Sequence, residues 1–207
     1  MPCTLCPRNC GVDRALAGGF CGAGPAPLVA RADLHAYEEP CISGERGSGT
    51  VFFSGCNMAC VFCQNHVLRS GRIGRPCSDA ELADMYLTLA ARGAHNINLV
   101  TPAPHIEAVA RSLQLAKSRG LAIPVVYNTN AYERADALRT LEGLVDVYLP
   151  DFKYVSPDLA ERFSRTLVEL GDFPADAVLV LKGRGQKDVR EALQAMEARV
   201  QAARREG

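Results

Sequence analysis

From residue 50 onward, apolar and polar positions follow two alternating periods. Short apolar runs stand at 50–54, 97–101, 123–128, 145–149 and 177–181. Between them, apolar residues recur every three or four positions: Leu82, Met85 and Leu89; then Ile106, Val109, Leu113 and Ala116; then Ala135, Leu138 and Leu141. A short apolar run bounded by turn signals reads as a buried strand, and the longer spacing reads as one face of a helix. Boundary signals agree. Ser78-Asp79-Ala80-Glu81 is a capping box that opens the first helix, and Gly93 closes it. A second helix over 105–119 stops at Gly120, and Ser156-Pro157 supplies the cap and first-turn proline of a later one. A tail helix from about 187 to 205 carries Val189, Leu193, Met196 and Val200 on one face, as a covering or interaction helix would. Five βα units in this order predict parallel strands with helices outside, joined by right-handed crossovers. A closed barrel takes eight units. The pattern thus predicts an α/β fold that is either an open partial barrel or a doubly wound sheet.

The first 49 residues differ. Leu28 to Ala32 is the length of a short strand, and 43–49 is a Gly/Ser-rich approach to the first βα unit. Residues 1–25 show neither period. They interleave Cys3, Cys6, Cys10 and Cys21 with Gly and Pro. So few apolar residues cannot make a core, so a bound metal is expected to organise the segment. Four thiolates close either a tetrahedral zinc site or an auxiliary iron–sulfur cluster, and the spacing does not choose. His35 and Cys41 are near enough in sequence to join either. The chain therefore divides into a cysteine-rich segment, 1–49, and a βα region, 50–207.

Length and composition narrow the class. A chain of 207 residues, 48% of them hydrophobic, is one globular domain or one domain with a small appendage. Lys and Arg number 23, as do Asp and Glu, which makes no case for a nucleic-acid partner. No apolar run reaches membrane-spanning length, and no basic-then-apolar leader opens the chain. Nine cysteines, crowded at metal-like spacings, read as ligands in a reducing compartment, so cytoplasm is the expected location.

The sharpest chemical signal follows the first predicted strand. In Gly55-Cys56-Asn57-Met58-Ala59-Cys60-Val61-Phe62-Cys63 three cysteines are spaced C-x-x-x-C-x-x-C. Soft thiolates select iron–sulfur clusters, zinc or copper(I). A structural zinc site takes four ligands, and ferredoxin-type clusters are normally held by four cysteines. Three local thiols leave one corner open.

With Phe62 before its last cysteine, this loop resembles the cluster loop of the radical S-adenosylmethionine (SAM) superfamily. Cys3-Thr4-Leu5-Cys6-Pro7-Arg8-Asn9-Cys10, Gly19-Phe20-Cys21-Gly22, Glu38-Glu39-Pro40-Cys41-Ile42-Ser43-Gly44 and Gly47-Ser48-Gly49-Thr50 resemble one branch, the proteins similar to pyruvate formate-lyase activating enzyme. The resemblance runs from about residue 3 to about Phe163. Beyond it the family's pattern stops, so the 50–207 region reads as C-terminally shortened or diverged. The resemblance implies a partial (β/α) barrel. It also implies a [4Fe–4S] cluster on Cys56, Cys60 and Cys63, SAM as cofactor, and a 5′-deoxyadenosyl radical that abstracts hydrogen, with activation of a glycyl-radical enzyme as one outcome. A one-electron donor such as flavodoxin or ferredoxin and a protein substrate are the implied partners. Two rivals are an iron–sulfur electron-transfer module and a truncated member without turnover.

In parallel α/β folds ligands gather beyond the carboxyl ends of the strands. That rule selects Asn128 and Thr129, whose small polar groups could bond the SAM ribose or carboxylate or could simply form a turn. It also selects Asp151 and Lys153, a charged pair in which Lys153 could neutralise a carboxylate and Asp151 could position a hydroxyl or the lysine, or which could be a solvated surface pair. Phe62 is implied to pack near the adenine end of SAM; the plain alternative is a buried aromatic. Thr101-Pro102 stands where many members carry Gly-Gly-Glu, and His105 is expected at a helix start, facing solvent. Gly183-Arg184-Gly185 lacks the Walker lysine pattern and reads as a turn.

Overall fold

A computed structural model describes residues 2–151, 153–154, 157–166 and 178–179. The elements run β1 (Leu28–His35), α1 (Pro40–Ser43), β2 (Ser48–Phe53), β3 (Arg75–Pro76), α2 (Asp79–Ala91), β4 (Ile97–Val100), α3 (Ile106–Ser118), β5 (Val125–Thr129), α4 (Ala135–Arg139), β6 (Val147–Pro150), α5 (Pro157–Ser164) and β7 (Val178–Leu179). They form one sheet in the order β3-β1-β2-β4-β5-β6-β7. Strands β2, β4, β5, β6 and β7 pair in parallel, in chain order. This is an α/β fold of the partial-barrel kind, with a cysteine-rich segment ahead of it. The expected tail helix and the Gly183–Gly185 turn lie outside the described residues.

Strand alternation sorts the two faces of the sheet. Val51 and Phe53, Ile97 and Leu99, Val125 and Tyr127, and Tyr148 pack into one core with Leu82, Tyr86 and Leu89 of α2 and with Val109 and Leu113 of α3. The other face carries buried polar residues: Ser48, Thr50, Asn98 and Asn128. Near the carboxyl ends, Phe52, Val100 and Asn128 of this face line a cavity. One face is therefore given to packing against helices and the other to a ligand-sized space.

The helices form for the expected local reasons, with one change of stripe. The Ser78 hydroxyl accepts from the Glu81 amide at 3.2 Å, and the Glu81 carboxylate accepts from the Ser78 amide at 2.8 Å. Met85 is only partly buried, and Tyr86 takes the core position. Its buried hydroxyl pairs with Ser112 of α3 at 3.3 Å. On α3 the stripe of Ile106, Val109, Leu113 and Ala116 is buried as the spacing predicts.

The sheet is wider than the parallel series alone. β1 runs from Leu28 through His35 and pairs antiparallel with β2, from Val29 opposite Phe53 to His35 opposite Ser48. Two-residue β3 then covers part of the outer edge of β1. The N-terminal residues form a small hairpin. The Cys3 amide donates to Val12 at 2.9 Å, the Gly11 amide donates to Cys3 at 3.0 Å, and a tight turn from Cys6 to Asn9 lies between them.

Candidate functional site

The carboxyl ends of β2, β4, β5 and β6 open onto one cavity of about 770 Å³. Its walls include Cys56, Cys60, Cys63 and Phe62 from the loop after β2, Thr101 after β4, Asn128 and Thr129 from β5, and Asp151 and Lys153 after β6. The residues expected to hold cluster or cofactor in the βα region are thus gathered around one space, from three loops and the end of β5. His35 lines it too, from the end of β1, while Cys41 on α1 is exposed and lines neither this cavity nor the N-terminal one.

The cysteine loop is positioned from several sides. Gly55 has φ near +95°, and a Cβ there would stand 2.8 Å from the Cys21 carbonyl oxygen, so only glycine admits the turn and the close approach together. The loop's backbone docks on the end of α5: the Ala59 amide donates to Ser164 and the Val61 amide to Phe163, both at 2.9 Å. Two side chains donate to the sulfurs. Asn130 Nδ2 reaches Cys56 Sγ at 3.3 Å, and Ser164 Oγ reaches Cys60 Sγ at 2.8 Å while pairing with the Tyr154 hydroxyl. Donors aimed at sulfur stabilise thiolate charge and tune a bound cluster. Burial pushes the Cys56 thiol up to about 11, so it gives up its proton when a metal binds.

Three thiols opening on a cavity, with donors already on two of them, is a donor set that fits a three-cysteine [4Fe–4S] cluster with one open iron. Among the described residues no three ligand side chains share the tight spacing of a mononuclear ion.

The remaining wall residues are specific in what they touch. The Asn128 amide donates to Glu38 at 3.3 Å. The Thr129 hydroxyl donates to Glu133 and accepts from the Ala131 amide at 3.0 Å, so it serves the turn and a buried acid. Glu133 is buried, one oxygen also receives the Tyr127 hydroxyl, and the other meets no donor among the described residues. Burial pushes its carboxyl up to about 7. Lys153 donates to Asp151 at 2.6 Å, with both side chains partly shielded at the cavity edge. Both line the same cavity.

One alternative is set aside and one expectation is corrected. Phe62 is not a buried aromatic: it is 55% exposed at the cavity edge, tilted toward Tyr154 with ring centres 6.2 Å apart. Nor does His105 face solvent. It is buried beside Phe53, and its Nε2 lies 2.9 Å from the Ser54 carbonyl oxygen, one residue before the loop begins. A short 3₁₀ turn at Ala103–His105 drives the ring inward, and burial lowers its pKa to about 4. The neutral ring therefore pins the end of β2.

Sequence reasoning missed several contributors. Thr101 lines the cavity at φ +58°, a left-handed conformation that is uncommon for threonine, and the Thr-Pro dipeptide was its only signal. Ser164 had no signal, because it reaches Cys60 across a separation of 104 residues. Arg8 is the other long reach: its guanidinium donates to the carbonyls of Asn57 and Arg165 and lies 3.4 Å over the Phe20 ring.

The model of the radical SAM superfamily matches residues 50–199, past the Phe163 limit at which the pattern is legible by eye. An uncharacterised protein of Methanocaldococcus jannaschii is 33% identical over 171 residues, which cover 79% of this chain. The chain spans 48% of that relative's length. Among the described residues no helix is long and apolar enough to cross a membrane.

Proposed function

Because this chain belongs to the radical SAM superfamily, we propose that it cleaves SAM reductively at a [4Fe–4S] cluster held by Cys56, Cys60 and Cys63. The observation that carries this reading is the three-thiol loop facing a cavity of about 770 Å³ at the strand carboxyl ends. Held there, the cluster would supply the single electron for reductive cleavage of SAM to methionine and a 5′-deoxyadenosyl radical able to take a hydrogen atom from a substrate.

The chain's own residues bind, orient and exclude water. Asn130 and Ser164 hold the sulfurs of Cys56 and Cys60 by hydrogen bonds. Asn128, Thr101 and the Asp151–Lys153 pair present donors and acceptors from the opposite wall, where the polar groups of SAM and of a substrate would lie. Phe62 offers an aromatic face at the edge, suited to stacking on adenine. Tyr37, Val61, Phe62 and Val67 are exposed apolar side chains from the cavity edge and the neighbouring loop, a rim that supports a macromolecular partner. The partners proposed are a flavodoxin- or ferredoxin-type donor and a protein substrate, a glycyl-radical enzyme among them.

The test is anaerobic reconstitution, reduction and addition of SAM, followed by assay of products. Equal amounts of 5′-deoxyadenosine and methionine are expected. An intact cluster that releases neither would overturn turnover and favour an electron-transfer module.

A further inference from the structure

The N-terminal cysteines stand apart from this site and have their own geometry. Cys3, Cys6, Cys10 and Cys21 all line a second cavity together with Leu5, Phe20, Asn57 and Pro104, with Arg8 and Arg14 beside the thiols. Its volume is about 20 Å³. A single water needs roughly 10–15 Å³ of such space, so this space holds one atom-sized guest and not a core of four irons and four sulfides.

The local chain is shaped to gather those thiols. The 3–12 hairpin brings Cys3, Cys6 and Cys10 together around the Cys6–Asn9 turn. A Cβ on Gly19 would stand 2.8 Å from Cys10 Sγ, so the missing side chain is what admits that thiol. A Cβ on Gly22 would stand 2.4 Å from the Ser70 carbonyl oxygen, so glycine lets the strand of chain carrying Cys21 lie flat on the loop below. The four thiols are free, and no disulfide competes for them. Arg8 and Arg14 supply the positive charge that offsets a tetrathiolate centre.

We infer that Cys3, Cys6, Cys10 and Cys21 close on one divalent thiophilic ion, zinc by ligand chemistry, bound without inorganic sulfide. Four thiolates at about 2.3 Å complete a tetrahedron and leave no open position. The thiols are not yet at the spacing of one ion; the ion draws them in and fixes a segment that has no apolar core. Its second effect is on the neighbouring loop. Arg8 sits between two of the cysteines in sequence and holds the Asn57 carbonyl, next to Cys56. The ion is structural and stands whether or not SAM is cleaved.

The experiment uses the full chain carrying Cys56→Ala, Cys60→Ala and Cys63→Ala, so that the loop contributes no iron. Elemental analysis is expected to find about one zinc per chain and acid-labile sulfide at background. Replacement by Co²⁺ should give the intense thiolate-to-metal and d–d bands of a tetrahedral tetrathiolate. Adding Cys6→Ser and Cys21→Ser should weaken metal binding at least ~10-fold. Should that variant fail to fold, thiol reactivity of the triple-alanine protein serves instead: four thiols should be protected until a chelator is added. Iron with matching sulfide at these four cysteines would overturn the inference, as would thiols equally reactive with and without chelator.

Discussion

The chain uses cysteine in two ways, and the contrast explains its layout. The three thiols at 56, 60 and 63 sit on a loop between a buried strand and the rest of a βα series, and they face a cavity of about 770 Å³. The four thiols at 3, 6, 10 and 21 sit on a small hairpin and the turns that follow it, and they line a space of about 20 Å³. The first set has a rigid foundation: β2 is buried, His105 pins its end, and Ser164 and Asn130 reach the sulfurs. It can leave a corner open because the fold, and not the metal, holds it in place. The second set has only a short hairpin beneath it, and the proposed ion would supply the rest of its foundation. An open coordination position requires structure elsewhere; a closed one supplies it.

Variants separate the two sets. The largest effect is expected for Cys60→Ala: 5′-deoxyadenosine formation should fall to background, more than ~100-fold, while the N-terminal ion is retained. If turnover persists, the open-set assignment is wrong. Next is a buried acid, Glu133, bonded to Thr129 of the open site's wall. Burial raises the Glu133 carboxyl from 4.5 to about 7, so the folded chain keeps a proton there that the unfolded chain releases first. Stability from this residue is full below about pH 4.5 and is lost as pH rises through about 7. At 1.36 kcal/mol per pH unit that loss is about 3 kcal/mol. Glu133→Gln should flatten the fall, which denaturant melts at about pH 5 and about pH 8 will show; an unchanged fall would assign it to other groups.

Two smaller effects sharpen the picture. Lys153→Ala should weaken SAM or substrate affinity by about 1–3 kcal/mol and shift stability by less than about 1 kcal/mol. Binding by calorimetry beside a melting curve distinguishes these. Parent-level affinity would make Lys153 a surface residue. Ser164→Ala removes a donor to Cys60. The loop cluster's potential should move roughly 20–60 mV more negative in a redox titration, with the zinc content unchanged.

Much of this was legible beforehand for definite reasons. The parallel series followed from period, and α2 from its capping box, because both are local signals. β1 was harder: only Leu28 to Ala32 has strand character, yet the strand continues through Leu34 and His35 because β2 is there to pair with. His105 was misread because its position at a helix start says nothing of the 3₁₀ turn that points the ring inward. Ser164 and Arg8 were invisible, since each meets its partner only through the tertiary fold. Asp151 and Lys153 were selected by the strand-end rule, and of the roles open to Asp151 the structure has it holding the lysine, at 2.6 Å.

The central claim, that the three-cysteine set is open and its neighbour closed, is tested most directly by electron paramagnetic resonance of the reduced, reconstituted protein with and without SAM. The account predicts one [4Fe–4S] signal, absent from Cys60→Ala, whose g-values change when SAM is added. A signal that SAM leaves unchanged, or a second cluster signal that survives Cys60→Ala, would contradict it.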